Sequence, residues 1–257
     1  MSTVLVAGGT GTAGSAAVAE LQARGHRVRV LSRRAPSTTV AGLEHSPGDL
    51  LTGEGLSAAL DGVDVLVSAV NGQTRKTRAV FTDGARNLTR AAEAAGVRRA
   101  VLLSIVGVDQ VRFSYYAAIA EQERIYTASG LDTTIVRATQ FHSLLRSIFA
   151  TTARVGVLPA IRGARFQPIA PADVGRALAD AALADSAGDR VEVGGPAVAT
   201  MRELAETWKE STGSRSLVLG VPLPGPPGRF LRAGMNLTPD NRCGTVTFDQ
   251  WLAENRS

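Results

Sequence analysis

Seven residues near the start of the chain have the types and spacing of a phosphate grip. In Gly8-Gly9-Thr10-Gly11-Thr12-Ala13-Gly14, the pattern G-x-G-x-x-G runs through Gly9, Gly11 and Gly14, and G-x-x-G-x-x-G through Gly8, Gly11 and Gly14. Glycines allow the tight turn, let the backbone approach a pyrophosphate, and let the next helix pack close to the preceding strand. The helix N-terminus then presents unpaired N–H groups and the positive end of its dipole. A glycine-rich turn on its own needs no ligand. Here it follows a short apolar run, Thr3 to Ala7, and opens a helical pattern, the context a dinucleotide requires. The residues expected to meet it are Gly8, Thr10, Gly11, Thr12, Ala13 and Gly14. Which dinucleotide is bound is read at the end of the second strand, where an NAD site places an acid for the ribose 2′-hydroxyl. This chain has Ser32-Arg33-Arg34 there and no acid nearby. A guanidinium pairs with a 2′-phosphate through two hydrogen bonds, whereas a carboxylate repels it. The expected cofactor is therefore NADP(H), with Arg33 as the leading contact and Arg34 second.

These residues need elements to position them, and the pattern supplies strand and helix in alternation. Thr3 to Ala7 is a buried parallel strand in form, and Thr12 to Arg24 is helical and closed by Gly25. Strands follow at Arg27 to Leu31, weakly at Leu43 to His45, at Val63 to Val70, Ala100 to Ser104 and Asp132 to Arg137. Between them a long helix is expected over Lys76 to Ala95 and another over Ser114 to Ser129. Alternation of this kind implies an α/β fold, a doubly wound parallel sheet whose ligands sit beyond the carboxyl ends of the strands. After about Phe141 the pattern loosens. A helix at Pro171 to Leu183, a strand at Val191 to Val193 and a helix at Met201 to Glu210 remain legible. Pro222-Leu223-Pro224-Gly225-Pro226-Pro227-Gly228 reads as a loop without regular structure. The second half is expected to form a lid or lobe over the sheet's carboxyl edge.

The composition narrows the class. The chain has 257 residues, 44% of them hydrophobic and 20% charged, which fits a globular core and excludes wholesale disorder, collagen and coiled coil. No run of eighteen apolar residues occurs, so no transmembrane helix and no membrane partner are expected. The start lacks a signal-peptide pattern, and the expected location is the cytoplasm. Cys243 is the only cysteine, which excludes an internal disulfide and a multi-thiolate zinc site. The formal charge is +5, with Lys76 and Lys209 the only lysines. The arginines are scattered in pairs and aromatics make up only 5%, so a nucleic-acid partner is not expected. The expected partner is a small-molecule substrate, and the oligomeric state is not written in the sequence.

Taken together, the motifs resemble the atypical short-chain dehydrogenase/reductase family, in its NmrA-like NAD(P)-binding branch, over nearly the whole chain. The glycine turn matches that family's phosphate turn. Gly48-Asp49-Leu50 matches the stretch that contacts adenine there, and Ser68-Ala69-Val70 the segment under the adenosine ribose. Ser104 ends the fifth strand, as a serine does in the family. Gly130 to Arg137 resembles the strand leading to the nicotinamide loop, continued by Ala138-Thr139-Gln140-Phe141-His142. Phe166-Gln167-Pro168-Ile169 with Asp173-Val174 resembles the segment closing the substrate pocket, and Val193 to Pro196 and Thr247 to Leu252 the C-terminal signatures. The resemblance implies a Rossmann domain over 1–140 and, mostly over 141–257, a small C-terminal substrate lobe, with 166–184 returning to the Rossmann core. It also implies cofactor contacts from Asp49, Leu50, Ser68, Ala69, Val70, Ser104, Thr139, Gln140 and Phe141.

One departure bears on chemistry. The wider family carries a tyrosine and, four residues on, a lysine on the same helical face. The lysine stabilises tyrosinate, and the tyrosine acts as general acid or base. Here Tyr115 is followed by Ile119 and Tyr116 by Ala120, so neither register supplies a cation. Tyr115, the favoured match, then keeps a pKa near the ordinary value of about 10 and is a poor proton shuttle at neutral pH. His142, with an ordinary pKa of about 6.5, is a further candidate for proton transfer, and otherwise a packed residue at a helix start. Ser104 is a candidate to orient a substrate oxygen. Three readings follow. The first is an NADPH-dependent reductase of a quinone, enone or other electron-poor carbonyl, with Phe141, Phe149, Phe166 and Met235 lining an apolar pocket or simply forming core. The second is a non-catalytic NADP-sensing regulator of NmrA type. The third is a cofactor-retaining isomerase or cyclase.

Overall fold

The structure, a computed structural model, describes residues 1–33, 43–71, 78–111, 113–186, 188 and 190–255. The alternating pattern becomes β1 (Thr3–Ala7), α1 (Thr12–Ala23), β2 (Arg27–Ser32), β3 (Leu43–Pro47), a short α2 (Leu56–Leu60) and β4 (Val65–Ser68). A single 3-10 turn (Arg78–Phe81) then leads into α3 (Asp83–Ala94), β5 (Arg99–Ile105), α4 (Ser114–Thr127) and β6 (Asp132–Ala138). The remainder holds α5 (His142–Ala153), β7 (Val157–Ile161), β8 (Arg165–Phe166), α6 (Pro171–Leu183), β9 (Arg190–Val193), β10 (Ala199–Thr200), α7 (Met201–Thr212), β11 (Leu217–Val221), α8 (Gly225–Arg232) and α9 (Phe248–Glu254).

Seven strands form one sheet in the order β3-β2-β1-β4-β5-β6-β9. The pairs β2–β3, β1–β2, β1–β4 and β4–β5 are parallel. This is the doubly wound α/β sheet of Rossmann type. The order reverses between β1 and β4, the topological switch point at which such sheets open a ligand crevice. Val4 to Ala7 are all fully buried, as a central strand covered on both faces requires.

Two elements differ from expectation. Of the helix expected over Lys76 to Ala95, Lys76 and Thr77 lie outside the described residues, and the rest is interrupted at Thr82, whose ψ of −74° breaks the register before α3 starts. Phe81 is buried and meets Tyr115 edge-to-face, which fixes the 3-10 turn, while Asp83 gives α3 a carboxylate in its first turn. The proline-rich stretch is not all loop. Pro224 caps α8, and Pro226 and Pro227 lie in its first turn, where a helix has no use for their missing N–H groups.

The chain divides into two compact units, residues 1–104, 114–137 and 174–191, and residues 105–113, 138–173 and 192–257. The first packs Leu5, Leu66 and Leu102 of β1, β4 and β5 against Leu60, Leu88 and Tyr126 of the helices. Each fully buried leucine contributes about 1.5–3 kcal/mol. On its other face Gly175 brings α6 against Ala16 of α1, where a Cβ would stand 2.5 Å from the Ala16 carbonyl carbon. The second unit has its own core of Phe149, Leu158, Trp208 and Trp251. Asp173 ties α6 to the C-terminal segment, accepting from Thr245 N and Oγ1, both at 2.9 Å.

Candidate functional site

The phosphate turn occupies the switch point. Gly8 has φ +80°, and a Cβ there would lie 2.7 Å from the Ala69 carbonyl oxygen. Only glycine lets the ends of β1 and β4 close up in this way. Gly14 faces back across the turn, and a Cβ on it would stand 2.1 Å from the Gly8 carbonyl oxygen. Gly11 is different. It is exposed, sits at the N-cap of α1 with φ −84°, and a Cβ would stand 3.3 Å from the Gly8 carbonyl oxygen, tight but far less so than at Gly14. It is open on the side where a ligand approaches. Neither a capping side chain nor a first-turn acid occupies the start of α1, so its first-turn N–H groups face outward over Thr10, Gly11 and Thr12. Ser68, Ala69 and Val70 lie alongside, with Ala69 N–H donating to Ala7 O at 2.9 Å. The turn therefore has the shape and polarity of a pyrophosphate cradle.

The residues expected on the adenosine side belong to the same unit. Ser32 closes β2 and accepts from Gly48 N at 3.1 Å, and Arg33 follows, exposed. Arg34 lies outside the described residues. The Asp49 carboxylate accepts from Leu51 N at 2.7 Å, and Asn87 of α3 donates to the Leu50 and Leu51 carbonyls at 2.9 and 3.1 Å. Asn87 thus holds the Asp49-Leu50 corner in place, a role that no motif in the sequence announces.

Ser104 and Tyr115 are held differently. Ser104 Oγ donates to Glu123 Oε1 at 2.5 Å, and Arg137 grips the same carboxylate with Nε at 2.8 Å and Nη2 at 2.6 Å. All three residues are buried. The serine's single proton is committed to the carboxylate, so any further bond at Ser104 Oγ must be one that it accepts. Glu123 is eight residues beyond Tyr115 on α4, on the face that also carries Ile119. That spacing, and a charged Arg137 inside an apolar strand, were the readable signals for this pair. Tyr115 is half-buried and donates to Asn71 Oδ1 at 3.1 Å. Burial pushes its hydroxyl above the ordinary tyrosine value and that of Tyr116 up to about 12. Ile119, in the family's lysine position, is only 4% exposed.

The remaining candidates belong to the second unit. Thr139 Oγ1 donates to Gln167 O at 2.5 Å, and the Gln140 amide pairs both ways with Asn236 at 3.3 Å. Phe141 is the N-cap of α5 and bridges to Ile169. His142 is 1% exposed, with Nε2 3.0 Å from Val246 O and its ring between Phe248 and Trp251, both centroids at 5.6 Å. Burial lowers its pKa below the ordinary value. Proton transfer needs solvent or substrate at the ring, and this packing covers it. Phe149 and Phe166 are core, whereas Met235 is exposed, so the four-residue apolar lining is not assembled. Among the described residues no cluster of side chains could hold a metal ion, and no helix is long and apolar enough to cross a membrane.

Comparison with known proteins agrees with this geometry. Residues 8–186 match the NAD(P)H-binding family, and this chain belongs to it. A 3-beta-hydroxysteroid dehydrogenase of Mycolicibacterium neoaurum is 32% identical over 111 residues, covering 38% of this chain and 30% of that enzyme. The chain thus spans under a third of that relative's length. An NADPH-dependent quinone oxidoreductase from Escherichia coli, solved with NADPH, superposes with a TM-score of 0.83 over 99% of this chain and 100% of that one, at 17% identity. A nucleoside-diphosphate-sugar epimerase from Staphylococcus aureus gives 0.77 over 98% and 99%, at 18% identity. These structures share the fold. The family match supports a nicotinamide nucleotide as the cofactor of this chain.

Proposed function

We propose that this chain is an NADPH-dependent reductase that transfers hydride to an electron-poor carbonyl, a quinone or conjugated enone of a small hydrophobic metabolite, with the second unit serving as substrate lobe. The observation that carries the reading is the buried Ile119 where the family has its lysine. Without that cation, Tyr115 stays a neutral hydroxyl, and burial pushes its pKa further up. An acceptor that spreads incoming charge over its own conjugated system needs no strong acid. A nicotinamide nucleotide held at the turn through its pyrophosphate would supply the hydride, and solvent would complete the proton balance. The chain's own residues bind and orient: the turn amides take the pyrophosphate, Arg33 takes the 2′-phosphate, and Ser104 offers a lone pair. The Escherichia coli quinone oxidoreductase, with NADPH on the same fold, supports this choice. NADPH oxidation with a panel of quinones, enones and simple ketones tests it. Turnover of quinones or enones well above ketones, and with NADPH above NADH, is expected. No turnover across the panel would overturn the enzymatic reading.

A second reading has its own support. Ser104 and Tyr115 each direct a proton at a protein acceptor, Glu123 and Asn71. That favours a protein that binds NADP(H) without turning it over and responds to its redox state. Unequal affinity for NADP⁺ and NADPH, together with an inactive quinone panel, selects it.

A further inference from the structure

We propose that the second unit carries an anion site of its own, fitted to a phosphate group and formed by Arg162 and Arg202 over the bare Cα of Gly220. The site is a cavity of about 390 Å³ lined by Ala160, Ile161, Arg162, Gly163, Thr200, Arg202 and Gly220. That volume lies in the range of small-ligand pockets. Ala160 and Gly220 are register partners in the parallel pair β7–β11, and Arg162 leaves the end of β7, its N–H held by Val221 O at 3.0 Å. Both guanidiniums converge on the same spot. A Cβ at Gly220 would stand 3.3 Å from Arg162 Nε and 3.6 Å from Arg202 Nη2. Two like charges drawn together beside an open floor repel each other until an anion sits between them.

The neighbouring acids do not neutralise the pair. Glu203 is turned to the helix cap, accepting from Thr200 N at 2.7 Å and Thr200 Oγ1 at 2.8 Å. Glu206 approaches Arg202 Nη1 at 3.6 Å, but both side chains are half-exposed, and an exposed pair of that kind is weak. The stem of Arg232 packs on Gly163, while its Nη1 donates to Leu223 O at 3.0 Å. The start of α7, at Thr200, adds the positive end of a twelve-residue helix. Forked guanidiniums hold a tetrahedral oxyanion through paired charge-assisted hydrogen bonds. Ala160 and Ile161 add an apolar wall for a small organic body. The site is unrelated to the cofactor turn in both sequence and unit.

The test is a titration of the full chain with inorganic phosphate, then with phenyl phosphate, at constant ionic strength against chloride. The Gly163 and Gly220 amide signals are followed by NMR. Saturable shifts are expected in the wild type. Arg162→Ala and Arg202→Ala should each weaken binding by about tenfold with unchanged Tm. Gly220→Leu, which fills the floor, should abolish it. Tighter binding of phenyl phosphate would assign the site to a phosphorylated organic ligand, and equal binding to free phosphate. Shifts that do not saturate, that chloride reproduces, or that survive in both arginine variants would overturn the proposal. Gly11 and Gly14 report the cofactor turn separately, so a failure here leaves the nucleotide reading untouched.

Discussion

Gly14 and Gly11 belong to one motif and do different work. A methyl group on Gly14 would collide with the Gly8 carbonyl, whereas one on Gly11 meets nothing closer than 3.3 Å. Gly14→Ala should therefore cost about 1–3 kcal/mol of stability by overpacking and lose nucleotide binding with it. Gly11→Ala should lower stability much less than Gly14→Ala yet bind nucleotide about tenfold more weakly, because its methyl presses only lightly on the Gly8 carbonyl and lies on the exposed side of the turn. Equal melting temperatures for both variants would contradict the assignment. Arg137 makes a sharper case. Arg137→Met leaves the buried Glu123 carboxylate with only the Ser104 hydroxyl and the half-exposed Arg190 at 4.0 Å, and should cost about 3 kcal/mol, read as a lowered denaturation midpoint. Replacing Glu123 by Leu as well should recover much of that loss.

At the scale of elements, α4 carries the residues on which the proposed chemistry turns. Tyr115, Ile119 and Glu123 recur at four-residue spacing, so the helix aims a neutral hydroxyl, an apolar side chain and a carboxylate along one face. The buried phenols give this arrangement a pH signature. Burial raises Tyr116 and Tyr126 to about 12, so the folded state holds its phenolic protons more tightly than the unfolded chain. Their contribution is complete below about pH 10 and is lost as pH rises from there through about 12, which a Tm series should show. His142 acts in the opposite sense. Its pKa is lowered, chiefly by burial, against smaller opposing effects of Val246 O, Asp173 and Asp249. Its contribution is present above about pH 6.5 and lost as pH falls below that, so His142→Gln should flatten the stability profile just below that pH. The strands and helices around the switch point were legible because period-two and apolar runs end in glycines there. The helix at His142–Ala153, the pair β7–β11 and α8 were not. α8 is disguised by prolines that a first helical turn tolerates, and β7 and β11 owe their pairing to each other. Within the site, the glycine turn could be read directly. Asn87 carries no such signal, and the Ser104–Glu123–Arg137 cluster shows only separate hints, the spacing along α4 and a charge in an apolar strand, because its members lie far apart in sequence and meet only in the fold.

For the whole molecule, a bound nucleotide is a stability term. A ligand held only by the folded chain raises stability by about 2.7 kcal/mol at a hundredfold excess over its Kd. NADPH should therefore raise Tm more than NADH at equal concentration, and Arg33→Ala should erase that difference while leaving NADH binding intact. Equal loss for both nucleotides would remove Arg33 from its role. The most direct test of the account is NADPH oxidation with a quinone acceptor, by wild type and by Tyr115→Phe. Turnover within about threefold in the two proteins, and nearly flat from about pH 6 to 9, is expected if no tyrosinate is needed. A drop of about a hundredfold or more in Tyr115→Phe would contradict it.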